Sequence, residues 1–245
     1  MMYQESYYNS WGGSELEATV SKQKMAHFER HLNRTRRQAL SGSILDVGCA
    51  KGHFVDLAIT HGYDAYGVEI SSYSGTIAGD KVGKDRIHIG TIEAAAFEGK
   101  KFDVITMFDL LEHVPDLHET LTTVFSLLKT GGLVYVVTPD AGSLSHLAMG
   151  KHWGHYKREH LYYFNRSSLE QLLRKHEFTY VESGSSPKTL SLEYLFQQFE
   201  TYPVPILTQV AKFFRQLLPS RVKDRTLTLP SGKLYFMARK SGAGS

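Results

Sequence analysis

Five short apolar runs follow one another from residue 44 onward: Ile44-Leu45-Asp46-Val47, Ala65-Tyr66-Gly67-Val68, Ile87-His88-Ile89, Phe102-Asp103-Val104-Ile105 and Leu133-Val134-Tyr135-Val136-Val137. Runs with so little polar alternation are strands buried on both faces, which requires helices on both sides of the sheet. The intervals agree. Residues 54–61 and 117–128 repeat apolar residues at helical spacing, and Gly131-Gly132 is a stop after the second. The stretch 71–84 is a weaker helix, diluted by Gly75, Gly79 and Gly83. Strand and helix in alternation predict an α/β fold with a mostly parallel, doubly wound sheet.

Outside this frame, residues 16–40 read as a helix lying over the domain, a candidate lid. After the fifth strand come a helix over 167–176, a strand at Tyr180-Val181-Glu182 and a last strand over 233–239, which brings the sheet to seven strands. The expected division is a single domain over 1–240: lid 1–40, core 41–185, insertion 186–229 and last strand 230–240, with 241–245 a flexible tail. The insertion carries an amphipathic run over 206–218. With 245 residues, 42% of them hydrophobic, the chain can bury one large core and little more.

The first strand ends in Gly48-Cys49-Ala50-Lys51-Gly52 and a helix follows, so backbone nearly bare of side chains lies at the carboxyl end of a parallel strand. Ligands of open α/β sheets bind there. About 20 residues later the second strand ends at Glu69, placed to accept both hydroxyls of a ribose. A dinucleotide enzyme needs three glycines for its pyrophosphate turn, yet Ala50 and His53 stand where the second and third would be. The spacing favours a cofactor without pyrophosphate.

Asp46-Val47-Gly48-Cys49-Ala50-Lys51-Gly52 resembles the first motif of the class I S-adenosylmethionine-dependent methyltransferases, from which Ala50 is the one departure. The likeness continues through Glu69, Phe102-Asp103-Val104-Ile105, Leu111-Glu112-His113-Val114 and Leu127-Leu128-Lys129-Thr130-Gly131-Gly132, over roughly residues 40 to 185. Glu159-His160-Leu161-Tyr162-Tyr163-Phe164 is similar to the branch holding ubiquinone-biosynthesis O-methyltransferases and methyltransferases of sugar and polysaccharide pathways. The resemblance implies a Rossmann-like fold and S-adenosyl-L-methionine as cofactor. It implies that Gly48, Cys49 and Gly52 pass close to the methionine part, that Asp46 orients the loop or the amino group, and that Glu69, with Ile70 beside it, holds the ribose. Phe108 and Asp109 would line the other side. Where many relatives have Asp after the third strand, Gly90-Thr91-Ile92-Glu93 stands here, so Thr91 or the backbone at Ile92 would meet the adenine.

A sulfonium methyl is already a strong electrophile, so such an enzyme has chiefly to align the acceptor and exclude water. If the acceptor is a hydroxyl, a base helps remove its proton, and histidine suits neutral pH. His160 is the first candidate, with His155 and Tyr156 beside it; a purely structural role for His160 competes equally. Asp109, Glu112 and His113, at i, i+3 and i+4, would share one face and suit a divalent cation. Leu-Glu-His-Val is also widespread in the superfamily without a metal, and none is expected here.

The lone Cys49 excludes an intramolecular disulfide, and the net charge of +3 implies no nucleic-acid partner. Absence of a leader-like start or an apolar membrane span predicts a cytoplasmic protein. The expected acceptor is a small molecule, a glycan or a lipid-linked compound. Residues 204–225 could touch a membrane surface or form a homodimer contact. Two other readings stay open: a nicotinamide oxidoreductase, and a non-catalytic relative that only binds the cofactor or a partner.

Overall fold

The computed structural model describes residues 14–95, 97, 99–201, 207–223 and 225–242. The beginning of the expected lid, residues 204–206 of the expected membrane segment, position 224 and the end of the tail lie outside them. The strands are β1 (Ser43–Val47), β2 (Asp64–Glu69), β3 (Ile87–Ile89), β4 (Phe102–Phe108), β5 (Leu128–Pro139), β6 (Phe178–Ser185), β7 (Lys188–Ser191), β8 (Thr226–Leu229) and β9 (Lys233–Lys240). Seven form one sheet in the order β3-β2-β1-β4-β5-β9-β6. β1 to β5 are parallel, and β9 enters antiparallel between β5 and β6.

The helices are α1 (Ser14–Gln38), α2 (His53–Thr60), α3 (Ser72–Val82), α4 (Leu117–Leu127), α5 (Leu144–Met149), α6 (Arg166–Lys175), α7 (Leu192–Thr201), α8 (Leu207–Leu217) and α9 (Ser220–Lys223). Because successive strand residues face opposite ways, each apolar strand feeds two cores. Leu133, Tyr135 and Val137 point to the layer built from Leu32 of α1 and Phe54, Val55, Leu57 and Ala58 of α2. Val134 and Val136 point to the opposite layer, with Leu121 and Val124 of α4 and Leu169 and Leu173 of α6. The sheet is covered on both sides, as uninterrupted apolar strands demand.

Two local departures have simple causes. α3 forms despite its glycines because close packing needs one of them: a Cβ on Gly75 would lie 2.7 Å from Ile89 Cγ1. α1 is less a lid than a wall, since His31, Leu32 and Thr35 are almost wholly buried against the sheet. The insertion has a base the periodicity did not reveal. β7 and β8 pair antiparallel, with Lys188 opposite Leu229 and Ser191 opposite Thr226, and α7, α8 and α9 lie between them in sequence.

Candidate active site

The turn after β1 is built by left-handed backbone. Gly48 has φ 78°, Ala50 48° and Gly52 70°. Gly48 pays no steric cost there, and a side chain would press on Leu110, whose Cδ1 lies 3.1 Å from the site of a Cβ. Ala50 takes the same region at a modest cost that glycine would avoid. Glu69 fastens this turn: its Oε2 accepts from Ala50 N at 2.8 Å and its Oε1 from Ser71 N at 2.8 Å. A carboxylate has about four acceptor positions, and with Ile70 N–H as a third backbone donor at least one remains for an incoming hydroxyl. Burial raises the carboxyl's pKa, while the backbone donors hold it back.

Asp46 is buried and accepts from Thr106 Oγ1 at 2.6 Å. Burial pushes its pKa up to about 7, against the hydrogen bond from Thr106. Cys49 turns inward. A Cβ on Gly67 would come within 2.6 Å of its Sγ, and burial raises the thiol's pKa far above the usual range. Only its backbone faces the turn, and a nucleophilic role has no support. Ile70 is exposed at the rim beyond Glu69, Thr91 is exposed with its hydroxyl accepting from Ala94 N at 3.4 Å, and Ile92 is buried in the core, which leaves its backbone for a ligand. Phe108 packs edge-on to Phe54 and Tyr135, at 4.9 and 5.2 Å between ring centroids.

Asp109 directly follows β4 with φ 54°, and its side chain is 43% exposed. It does not join Glu112 and His113. Lys233, the first residue of β9, donates to its Oδ2 at 2.5 Å. This pairing and the neighbouring Lys188 hold the Asp109 carboxyl far below its usual pKa although burial acts against them. Glu112, almost fully buried, accepts from Thr138 Oγ1 at 3.0 Å; burial and the nearby Asp109 charge raise its pKa and keep it protonated near neutrality.

His160 occupies the place beside Glu112 and His113 that i, i+3, i+4 spacing assigned to Asp109. One potential ligand atom from each of the three lies within 4.8 Å of the others, a set that could hold a cation once Glu112 gave up its proton. His113 Nδ1 is already bonded to Glu159 O, and the His113 and His160 rings meet edge to face at 4.7 Å. His160 Nδ1 is buried without a partner. Burial and His113 lower its pKa to about 4, so the ring is neutral at pH 7. His155 commits Nε2 to Ser231 O at 2.8 Å, and Tyr156, half-exposed, shares its hydroxyl with His146 Nε2 at 2.8 Å. All three occupy the segment between β5 and α6.

Four further residues belong here that the sequence reading passed over. Lys188 lies at the start of the insertion and Lys233 just after its end, as the first residue of β9. His27 and His31, on α1, form a buried polar relay. Arg34 donates to the Tyr135 oxygen, which also hydrogen-bonds His31 Nδ1. His31 Nε2 hydrogen-bonds His27 Nε2 at 3.0 Å, and His27 Nδ1 is buried without a partner. A histidine pair at i, i+4 inside a basic run offered only a faint signal.

A model of the methyltransferase domain matches residues 22–183. Among curated proteins, the ubiquinone biosynthesis O-methyltransferase of Coxiella burnetii (strain Dugway 5J108-111) is 31% identical over 99 residues, 39% of this chain and 42% of that protein. The chain spans less than half the length of the curated relatives it matches. Two solved structures share the fold at low identity. Magnesium protoporphyrin IX methyltransferase from Synechocystis PCC 6803, with bound SAH, superposes at TM-score 0.61 and 12% identity over 97% of this chain and 95% of that one. Phosphoethanolamine N-methyltransferase 2 of Haemonchus contortus, in complex with S-adenosyl-L-methionine, gives TM-score 0.57 and 18% identity over 87% and 53%.

Proposed function

Because this chain belongs to the methyltransferase-domain family, whose model spans its residues 22–183, we propose that it transfers a methyl group from S-adenosylmethionine to a hydroxyl oxygen of its acceptor. The observation that carries this reading is the clasp of Glu69 on the Gly48–Gly52 turn, which leaves carboxylate acceptor capacity and bare backbone for a nucleoside without pyrophosphate. When bound, S-adenosylmethionine supplies a methyl group already activated by sulfonium charge. The chain's own residues then have three tasks. Glu69 holds the ribose, and the turn at Gly48 accommodates the methionine part. His160, neutral at pH 7 with Nδ1 unpartnered, accepts the acceptor's proton. The two-layered core, with the segment between β5 and α6 over it, keeps water from the reacting atoms.

Thermal unfolding with S-adenosylmethionine, S-adenosylhomocysteine and NAD tests this. Ligand at about 100 times its Kd adds roughly 2.7 kcal/mol, which for a domain of this size raises Tm by about 5–10 °C. A rise with both adenosyl ligands and none with NAD is expected. A rise with NAD alone would establish the oxidoreductase instead, and no rise with any would favour a non-catalytic relative.

We also propose that the acceptor is met at a membrane surface, the source being a lipid-linked compound. Val210, Phe213, Phe214 and Leu217 are exposed along one stripe of α8, with exposed Lys212, Arg221 and Arg225 nearby in sequence. Arg215, engaged by Glu193 and Glu200, is not available to headgroups. Among the described residues no helix is long and apolar enough to cross a membrane, so contact would be at the interface. Co-sedimentation with vesicles containing anionic phospholipid is expected, and Phe213→Ser/Phe214→Ser should weaken it at least about tenfold. Unchanged sedimentation, or a concentration-dependent dimer lost in the same variant, would reassign the stripe to a second copy of the chain.

A further inference from the structure

Lys188 opens β7 and Lys233 opens β9, and both side chains converge on Asp109 at the carboxyl end of β4. β9 runs antiparallel, so its first residue lies where the parallel strands finish and their loops carry chemistry. The Lys233 side chain is only 7% exposed, and that of Lys188 lies within hydrogen-bonding reach of it. Two lysine amino groups thus meet a single carboxylate.

No second negative charge comes from the buried carboxyl nearby, since Glu112 is held protonated. The remaining neighbours add positive field or none. Lys157 acts on Lys188, Arg30 lies near His27, and His27 and His155 are kept neutral by burial and by the two lysines. His27 Nδ1 is also buried and unpartnered beside this cluster. Like charges placed together in a poorly solvated site are unfavourable unless an opposite charge joins them, and such arrangements mark functional sites.

We infer that Lys188 and Lys233 form a subsite for an oxyanion, a carboxylate or a phosphate, carried by the acceptor and held next to Asp109. The anion would supply the charge that lets both lysines be cationic at once and would fix the acceptor between the insertion and the end of β4. Assignment of that anion to the acceptor rests on the methyl-transfer reading; the existence of the subsite does not. The amino group of Lys188, whose pKa Lys233 and burial lower to about 7, would regain a proton as the anion arrives.

Calorimetric titration of the full chain at low salt decides it, with benzoate and inorganic phosphate as probes and benzamide as the uncharged control, each with and without S-adenosylhomocysteine. One of the anions is expected to bind at least about tenfold more tightly than benzamide. Lys188→Gln should abolish that preference and Lys188→Arg should keep it. Anion binding to the unsubstituted protein at pH 7 should take up protons, seen by comparing buffers of different ionisation enthalpy; a lysine serving packing alone would not produce this. Whether benzoate or phosphate is preferred identifies the acceptor's acidic group. Equal binding of benzamide, or an unaltered Lys188→Gln titration, would overturn the subsite even where S-adenosylhomocysteine binds normally. Anion selectivity without S-adenosylhomocysteine binding would instead leave the subsite standing and remove the cofactor reading.

Discussion

S-Adenosylmethionine is expected to bind the Glu69→Ala variant a hundredfold to a thousandfold more weakly than the unsubstituted protein. The loss has two parts. Hydrogen bonds from ribose hydroxyls to a carboxylate contribute about 1.5–3 kcal/mol each when their partner is charged. In addition, removal of the carboxylate leaves Ala50 N–H and Ser71 N–H without the acceptor they now share, and the turn at Gly48 loses its fastening. Together these make about 3–4 kcal/mol a reasonable expectation. Glu69→Gln separates the parts, since an amide has one oxygen to accept with and no charge. It should lie between the other two in calorimetric affinity. A Glu69→Ala protein that folds and binds within about threefold of normal would refute the ribose assignment.

The second large effect is one of acidity. Unfolded histidine has a pKa near 6.5; burial and the neighbouring lysines lower that of His27 to about 3, and burial together with His27 takes His31 well below its ordinary value. Between these limits the unfolded chain binds protons that the folded chain refuses, so the two histidines contribute stability above pH 6.5 and lose it as pH falls. His27, with its folded pKa at about 3, loses about 2 kcal/mol between pH 7 and 5, and His31 adds to the loss in the same direction. Asp46 and Glu112 act in the opposite sense. Their folded pKa values are raised, so the fold keeps protons that the unfolded chain releases, and they add stability as pH falls through the same range. The observed curve is a compromise, and a difference measurement exposes the histidines. The variant His27→Gln/His31→Gln should be less stable than its parent at pH 7, because the relay to Tyr135 is broken. It should regain at least about 2 kcal/mol relative to the parent between pH 7 and pH 5. Urea unfolding at several pH values gives the comparison, and parallel curves for the two proteins would show that the histidines titrate alike in the folded and unfolded chains.

These two predictions differ in how far the sequence alone could lead to them. Glu69 and the glycine turn were legible because their relation is local: a strand, a turn and the end of the next strand fix the distance between them. The two-sided sheet was legible for a similar reason, as period and polarity report burial directly. α5 and the β7–β8 ladder were not foreseen, being too short to show a period. Asp109 with Lys233 lay beyond reach, since 124 positions separate them and only the antiparallel entry of β9 beside β5 brings them together. The same long-range geometry redirected Asp109 away from Glu112 and His113 and put His160 with them. His31 was hidden by its surroundings, a buried residue on a helix whose sequence reads mainly as charged surface.

The clasped base of the insertion has an evolutionary consequence. Ser185 lies opposite Leu234 in the sheet, Ser186 N donates to Lys233 O at 2.8 Å, and the ladder continues through Lys188 and Leu229, so the segment leaves and rejoins the sheet at adjacent points. Once both ends of a loop are held, each doubling of its length costs only about 0.6 kcal/mol in closure entropy. Descendants of this chain could therefore lengthen, shorten or replace everything beyond that ladder and keep a folded nucleoside site. The cost of trying a new acceptor would fall on recognition rather than on the fold.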